Sequence, residues 1–152
     1  MRRRTGRKTE AFTLIEVLLV AGILALLAAF AIPRLFQQAQ EAKVKLATAA
    51  VGRNGPIAKG LEAYKWDMGK YPETDEGLAA LFAPKSSKGE QYKGPYMEGS
   101  IEELKDPWAN PFQYRSPGQF NEESYDLWSK GPDMIDDEGK AGSDDIKNWR
   151  EK

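Results

Sequence analysis

Thirteen residues near the C-terminus, Asp133 to Asp145 (DMIDDEGKAGSDD), hold six carboxylates against one cation, Lys140. The acids are Asp133, Asp136, Asp137, Glu138, Asp144 and Asp145. A charge run of this kind usually forms a solvated loop. Where a fold gathers three such groups, they repel one another unless a cation neutralises them. Hard carboxylate and carbonyl oxygens, with no nitrogen or sulfur donor at hand, suit Ca²⁺. The chain has no histidine and no cysteine, and the acids do not follow the spacing of an EF-hand loop. The same absences exclude disulfides, Cys/His zinc sites, a thiolate nucleophile and any triad that needs imidazole. Nor does the sequence contain G-x-S-x-G, G-x-x-x-x-G-K or G-x-G-x-x-G. Adjacent Asp144 and Asp145 on a flexible acidic loop are poor acid–base partners, so an enzyme is the least supported class.

Glu16 is the other carboxylate in an unusual setting. It is the one charge in a 21-residue apolar run from Phe12 to Ile32, FTLIEVLLVAGILALLAAFAI. At ~1.5 Å per residue a helix of that length spans about 31 Å, the thickness of a bilayer's hydrocarbon core. A charge placed deep in such a helix costs roughly 2.5–3.5 kcal/mol, so Glu16 either snorkels to the interface or asks for a partner. A cut before Phe12 would create an α-amino group four residues away, which could pair with Glu16 of the same or a neighbouring subunit. Residues 1–11 carry five basic groups and one acid, which keeps them cytoplasmic by the positive-inside rule. Residues after Arg34 then lie on the extracytoplasmic side, and no comparable apolar run follows them. A cleaved secretory signal would have an apolar region of ~7–15 residues and a small-residue cleavage site, both of which this run lacks. The net charge of −1 becomes −5 without the first eleven residues, which argues against a uniformly basic nucleic-acid-binding domain.

The 152 residues leave room for one domain to position these groups. Residues 37–68 read as helix: Ala, Gln, Lys and Glu dominate its first part. Ile57, Leu61, Tyr64 and Met68 then recur at i, i+4, i+7 and i+11 as a stripe that packs on a globular body. Gly52-Arg53-Asn54-Gly55-Pro56 predicts a bend, because an interior proline costs ~3 kcal/mol. Gly69 is the expected C-terminal stop, and Thr74 is the expected cap of a short helix bearing Leu78, Leu81 and Phe82. Residues 83–100 are loop by composition. Trp108, in the turn-rich segment 106–111, is expected to be a core or lid residue. Phe112 and Tyr114 alternate with polar residues, as do Tyr125, Leu127 and Ser129 with Asp126 and Trp128, predicting a two- or three-stranded antiparallel sheet.

The segment Ala11-Phe12-Thr13-Leu14-Ile15-Glu16, behind a basic leader and before a long apolar run, resembles the type IV prepilin cleavage motif. The resemblance implies that prepilin peptidase removes residues 1–11 between Ala11 and Phe12 and methylates the Phe12 amine. Ala11 stands where the family strongly favours glycine. Pro33 matches a proline in the helix that partly melts during filament assembly in pilin-like subunits. Further along come Lys70-Tyr71-Pro72 with Thr74, Glu76-Gly77-Leu78, Asp106-Pro107-Trp108, Ser116-Pro117-Gly118, Gly131-Pro132-Asp133, Asp144-Asp145-Ile146 and Asn148-Trp149. In this order the chain is similar to the major pseudopilins of type II secretion, over nearly all the sequence from Phe12 to Trp149.

That similarity implies an α+β, type IV pilin-like fold: a long N-terminal transmembrane and spine helix packed on a small antiparallel sheet with a C-terminal Ca²⁺-binding loop. Residues 12–36 would be the transmembrane and assembly helix, and 37–152 the periplasmic domain, helical to about 68. The implied function is a structural subunit that polymerises into a periplasmic pseudopilus driving export of folded proteins. Its implied partners are itself, minor pseudopilins, the inner-membrane assembly platform, prepilin peptidase and the membrane, with no nucleic acid. The implied ligands of one structural Ca²⁺ are Asp133, Asp144 and Asp145 with the carbonyls of Lys130 and Ile135. The loop is longer than the family pattern through 136–141, leaving Ser143 or Gly142 at the remaining position. The alternatives are a type IV pilin or minor pseudopilin, or an uncleaved membrane-anchored Ca²⁺-dependent binding module.

Overall fold

The structure, a computed structural model, describes residues 13–83 and 91–150. Ala11 and Phe12, and part of the expected 83–100 loop, lie outside the described residues. The chain divides into two compact units at Ala39/Gln40.

Helix α1 runs from Leu14 to Val51. From Leu14 to Phe36 all its large apolar side chains are exposed, at 49–81%. So much apolar surface is stable only in lipid or against other chains. Among the described residues α1 is the one helix long and apolar enough to cross a membrane. Glu16 lies in its first turn, where the positive end of the helix dipole favours a carboxylate. Pro33 sits inside the helix, where its ring leaves one carbonyl of the preceding turn without its usual donor.

The expected bend is a full break. α1 stops at Val51 and α2 spans Pro56–Met68. Pro56 occupies the first helical turn, where its missing N–H would lack an intrahelical acceptor in any case. Gly55 makes the turn tight enough: a Cβ there would collide with the carbonyls of Ala49 and Ala50. The break lets Val51 and Ile57 both enter the core. α2 ends as predicted, with Gly69 left-handed (φ 76°) and its N–H donating to the Lys65 carbonyl at 2.8 Å.

The core of residues 40–150 gathers Val51, Ile57, Leu61, Tyr64, Leu78, Leu81, Phe112, Tyr125 and Leu127. Three short strands, β1 (Gln113–Arg115), β2 (Asp126–Ser129) and β3 (Ile146–Lys147), form an antiparallel sheet in the order β1-β2-β3. Gln113 pairs with Trp128, Arg115 with Asp126, and Ser129 with Ile146. The predicted alternation in β2 does not leave one face wet, for all four of its residues are buried. Asp126 is covered because its carboxylate accepts the N–H groups of Gln119, Phe120 and Asn121 at 2.6, 2.9 and 3.0 Å. Trp128 is covered by Trp149, edge to face at 5.9 Å, and by the Arg115 guanidinium at 5.7 Å.

Two local expectations differ from the structure. Thr74 does not cap a helix. Its hydroxyl donates to the Ser116 carbonyl and accepts the Ser116 N–H (3.0 and 2.9 Å), tying that turn to β1. The helix that follows is a 3₁₀ turn, Gly77–Leu81. Trp108 is not in the core cluster: it is half-buried, and its indole N–H donates to Gln40 of α1 at 3.2 Å.

Candidate functional site

The acidic segment is the connection from β2 to β3, so both of its ends are fixed by the sheet. At its start Ser129 donates its hydroxyl to the buried Asp106 carboxylate at 2.6 Å and accepts the Gly131 N–H at 3.2 Å. Asp106 also accepts the N–H groups of Trp108 and Asn110. This side-chain turn at Asp106-Pro107-Trp108 therefore anchors the first residues of the loop. Gly131 is left-handed (φ 68°), and a Cβ there would run into the Asp144 backbone. Glycine is what lets the two ends of the loop lie against each other.

That approach brings Asp133 and Asp144 together with Asp137, their carboxylate oxygens all within 4.8 Å of one another. The Asp133 N–H donates to Asp144 Oδ2 at 3.0 Å, and Asp133 Oδ1 accepts the Ile135 N–H at 2.7 Å. Asp136 faces a different way: it accepts the Trp128 indole N–H and the Glu138 N–H, both at 3.0 Å, with Lys130 Nζ 3.9 Å away. Glu138 lies 3.8 Å from Arg115.

Asp145 lies outside the trio. Only 7% of it is exposed; Oδ2 accepts the Gly139 N–H at 2.7 Å, while Oδ1 is buried without a hydrogen-bond partner. Burial pushes its carboxyl above the usual carboxylate range, and the charges of Asp136 and Asp137 add to that rise against the lowering by Gly139 N–H. Gly139 is itself left-handed (φ 64°) and closely apposed to the Trp149 ring. Its carbonyl accepts Lys147 Nζ at 2.9 Å.

Of the residues expected from sequence, Asp133 and Asp144 are thus adjacent, and Asp145 is buried beside them on a separate N–H. Lys130 is half-buried directly after β2, Ile135 is exposed, and the Ser143 hydroxyl donates to the Lys140 carbonyl at 2.8 Å. Asp137 was not singled out by the sequence. Its only signal was membership of the six-acid run, because nothing in the spacing distinguishes it from Asp136.

The donor set fits a hard divalent cation. Ca²⁺ takes oxygen ligands at roughly 2.3–2.6 Å, so oxygens on opposite sides of it lie about 4.6–5.2 Å apart. The trio's oxygens, all within 4.8 Å of one another, are close enough to share one such ion. An orphaned, nine-tenths-buried carboxylate oxygen on Asp145 and three mutually repelling acids are what a bound cation would relieve.

At the other end of the chain, Glu16 borders an apolar cleft along α1 with Val17, Val20, Ala21 and Leu24. No cation from residues 13–39 is paired with it among the described residues.

Residues 34–149 match the family described as "Type II secretion system (T2SS), protein G". The chain is 40% identical over 145 residues to the type II secretion system core protein G of Pseudomonas aeruginosa, covering 94% of this chain and 96% of that protein. The Vibrio cholerae protein of the same name is 37% identical, with 98% and 94% covered. The Escherichia coli K12 one is 34% identical, with 96% and 94% covered. The crystal structure of the major pseudopilin from the type 2 secretion system of enterohaemorrhagic Escherichia coli is similar with a TM-score of 0.60 and 26% identity, over 76% of this chain and 89% of that one.

Proposed function

We propose, from the premise that this chain belongs to the type II secretion system protein G family, a reading of how its two chemical regions serve a major pseudopilin. The family is one of structural subunits, and the chain's function is that of a pseudopilus subunit rather than of an enzyme. Residues 1–11 stay cytoplasmic and are removed by prepilin peptidase. Hydrolysis of the Ala11–Phe12 peptide bond frees the Phe12 α-amine, which is then methylated. Helix α1 holds the subunit in the inner membrane, with residues after Arg34 in the periplasm. On assembly α1 trades lipid for neighbouring copies. Glu16 pairs with the Phe12 amine of an adjacent subunit, so that two charges in an apolar medium neutralise each other and set the register. Pro33 supplies the point where the helix yields. Minor pseudopilins and the inner-membrane assembly platform are the other partners.

In the acidic loop, Asp133 and Asp144 hold one structural Ca²⁺, with Asp137, Asp145 and the carbonyls of Lys130 and Ile135 as further oxygen donors. The cation neutralises the acids and stabilises the folded loop by mass action. These residues do no bond-making chemistry; they keep β3 and Trp149 in place against β2.

The observation that carries the reading is near-full-length identity to protein G relatives together with an exposed apolar helix whose single acid lies in its first turn. Intact mass and N-terminal sequencing of the protein from its native membrane test it. The expected result is a chain beginning at N-methylphenylalanine 12. A chain that keeps residues 1–11 would mean that Ala11 blocks the cut, and would give first place to an uncleaved, anchored binding module.

A further inference from the structure

The globular unit exposes two apolar features of opposite charge surroundings. On α2, Ile57, Leu61 and Tyr64 face the core, and Trp66 falls on the opposite side of the helix, 89% exposed. Lys59, Ala63 and Trp66 follow at i, i+4 and i+7 along that outward face, with Lys70 just past the helix end. The acids bordering this face are already engaged: Glu62 accepts the Tyr71 hydroxyl at 2.5 Å, Asp67 accepts the Tyr96 hydroxyl at 3.0 Å with Lys93 Nζ 3.5 Å away, and Glu73 pairs with Lys70. The surrounding segment 40–70 carries six Lys or Arg against three acids. At the tip of the β2–β3 loop, Met134 and Ile135 are 55% and 60% exposed and ringed by Asp133, Asp137 and Glu138. Met134 is exposed in a left-handed conformation (φ 63°) that L-residues rarely adopt. The Asp133 carboxylate fixes the next N–H, that of Ile135.

An open helical filament needs a heterologous contact, in which two different patches of one chain complement each other. We infer that the Met134–Ile135 tip of one subunit docks on the Trp66 face of a neighbouring copy, with Lys59 and Lys70 meeting the acids around the tip. Trp66 is the anchor: a large, rigid aromatic whose burial supplies contact area at little entropic loss. The charges steer the two patches together and forbid the like-with-like pairings, tip on tip or helix on helix. A bound divalent cation leaves the loop negative, since five net negative charges lie between residues 133 and 145. This contact rests on the filament-subunit reading above and adds to it a site on the globular unit, apart from α1.

The absence of native cysteines makes the contact directly testable. Trp66→Cys and Ile135→Cys chains are co-expressed with the rest of the machinery, the assembled filaments are oxidised in the periplasm of intact cells, and crosslinking is followed by gel. A disulfide forms only between residues whose Cα atoms come within roughly 7 Å, and the packed filament holds such a pair at millimolar effective concentration. Crosslinked dimer at least about tenfold above that of a control pairing Trp66→Cys with Glu98→Cys, an exposed position outside the β2–β3 loop, is expected in filaments and not in detergent-solubilised monomer. Filaments in which the Trp66/Ile135 pair links no better than the control overturn the inference. Should either substitution stop polymerisation, Lys59→Cys with Glu138→Cys probes the same contact and is judged by the same two outcomes. Failure of the unsubstituted chain to form filaments is scored separately by electron microscopy, and overturns the filament reading and this contact together.

Discussion

Leu127 and Asp145 are both buried in the globular unit, one on β2 and one at the edge of β3, yet their surroundings differ in kind. Leu127 lies wholly within a cluster of Val51, Leu61, Tyr64, Leu81 and Phe112, a region that needs nothing more to be complete. Asp145 has one oxygen on Gly139 N–H and, among the described residues, no hydrogen-bond partner on the other, while burial and then the nearby acids raise its carboxyl. The core is held by burial, which is indifferent to solutes at millimolar level. The acidic loop is held by N–H groups donated to carboxylates, a scaffold that gathers charge and, among the described residues, gives cations to Asp136 and Glu138 but none to the Asp133, Asp137 and Asp144 trio. Within one small unit, then, stability should divide into a part fixed by the chain and a part conditional on a cation.

The largest effect should come from breaking the self-sufficient side. Leu127→Ala removes a fully buried side chain at the centre of the sheet, and should lower unfolding stability by about 2–5 kcal/mol. Thermal melts of the full chain in detergent should drop by a similar amount with Ca²⁺ and with chelator. A loss confined to one of those conditions would erase the distinction between the two regions.

The conditional side is tested by removing the cation and then its ligands. Chelation should lower the thermal midpoint, by the equivalent of about 2.7 kcal/mol if Ca²⁺ stood at a hundred times its Kd. Asp133→Ala in Ca²⁺ should melt where the unsubstituted chain melts in chelator, with no further response to either. Asp137→Ala and Asp145→Ala sharpen the comparison: whichever abolishes the Ca²⁺ response belongs to the site. A midpoint that still responds to Ca²⁺ in Asp133→Ala would remove Asp133 from it.

How much of this was legible in the sequence depended on the range of the interaction responsible. The apolar run, the α2 stripe at 57, 61, 64 and 68, the Gly69 stop and the break before Pro56 are local, and each followed from spacing or backbone chemistry. The family was legible because many weak signposts occur in order. Thr74 was misread because its hydroxyl found Ser116, 42 residues away, and a cap signal carries no information about such a partner. Trp108 likewise met Gln40, 68 residues distant. Nothing local in the sequence marks Asp126 and Asp106 for burial, yet each is buried because several backbone N–H groups converge on it. In the loop, composition announced a gathering of charge but could not say that Asp136 would go to the Trp128 indole and Asp137 to the trio. That choice is made by left-handed turns at Met134, Glu138 and Gly139, two of them at residues whose type gives no hint of it.

The smallest effect probes the core by its own titratable groups. Tyr125 is stacked with Tyr114 at 5.8 Å and meets Tyr71 edge to face at 4.9 Å. Burial, then the nearby Tyr71 and Glu62, pushes the Tyr125 phenol up to about 12, and burial raises Tyr114 as well. A phenol whose folded pKa lies above its unfolded value of about 10 favours the folded state in its neutral form. That contribution is therefore complete below pH about 10 and is lost as the pH rises toward about 12. The melting midpoint should fall over this interval, and Tyr125→Phe, which cannot ionise, should flatten the fall while leaving the neutral-pH midpoint nearly unchanged. The Ca²⁺ response at fixed pH should be the same in both chains. If Tyr125→Phe altered that response, the core and the loop would be coupled, and the division between a self-sufficient and a conditional region would have to be drawn elsewhere than between β2 and the loop that leaves it.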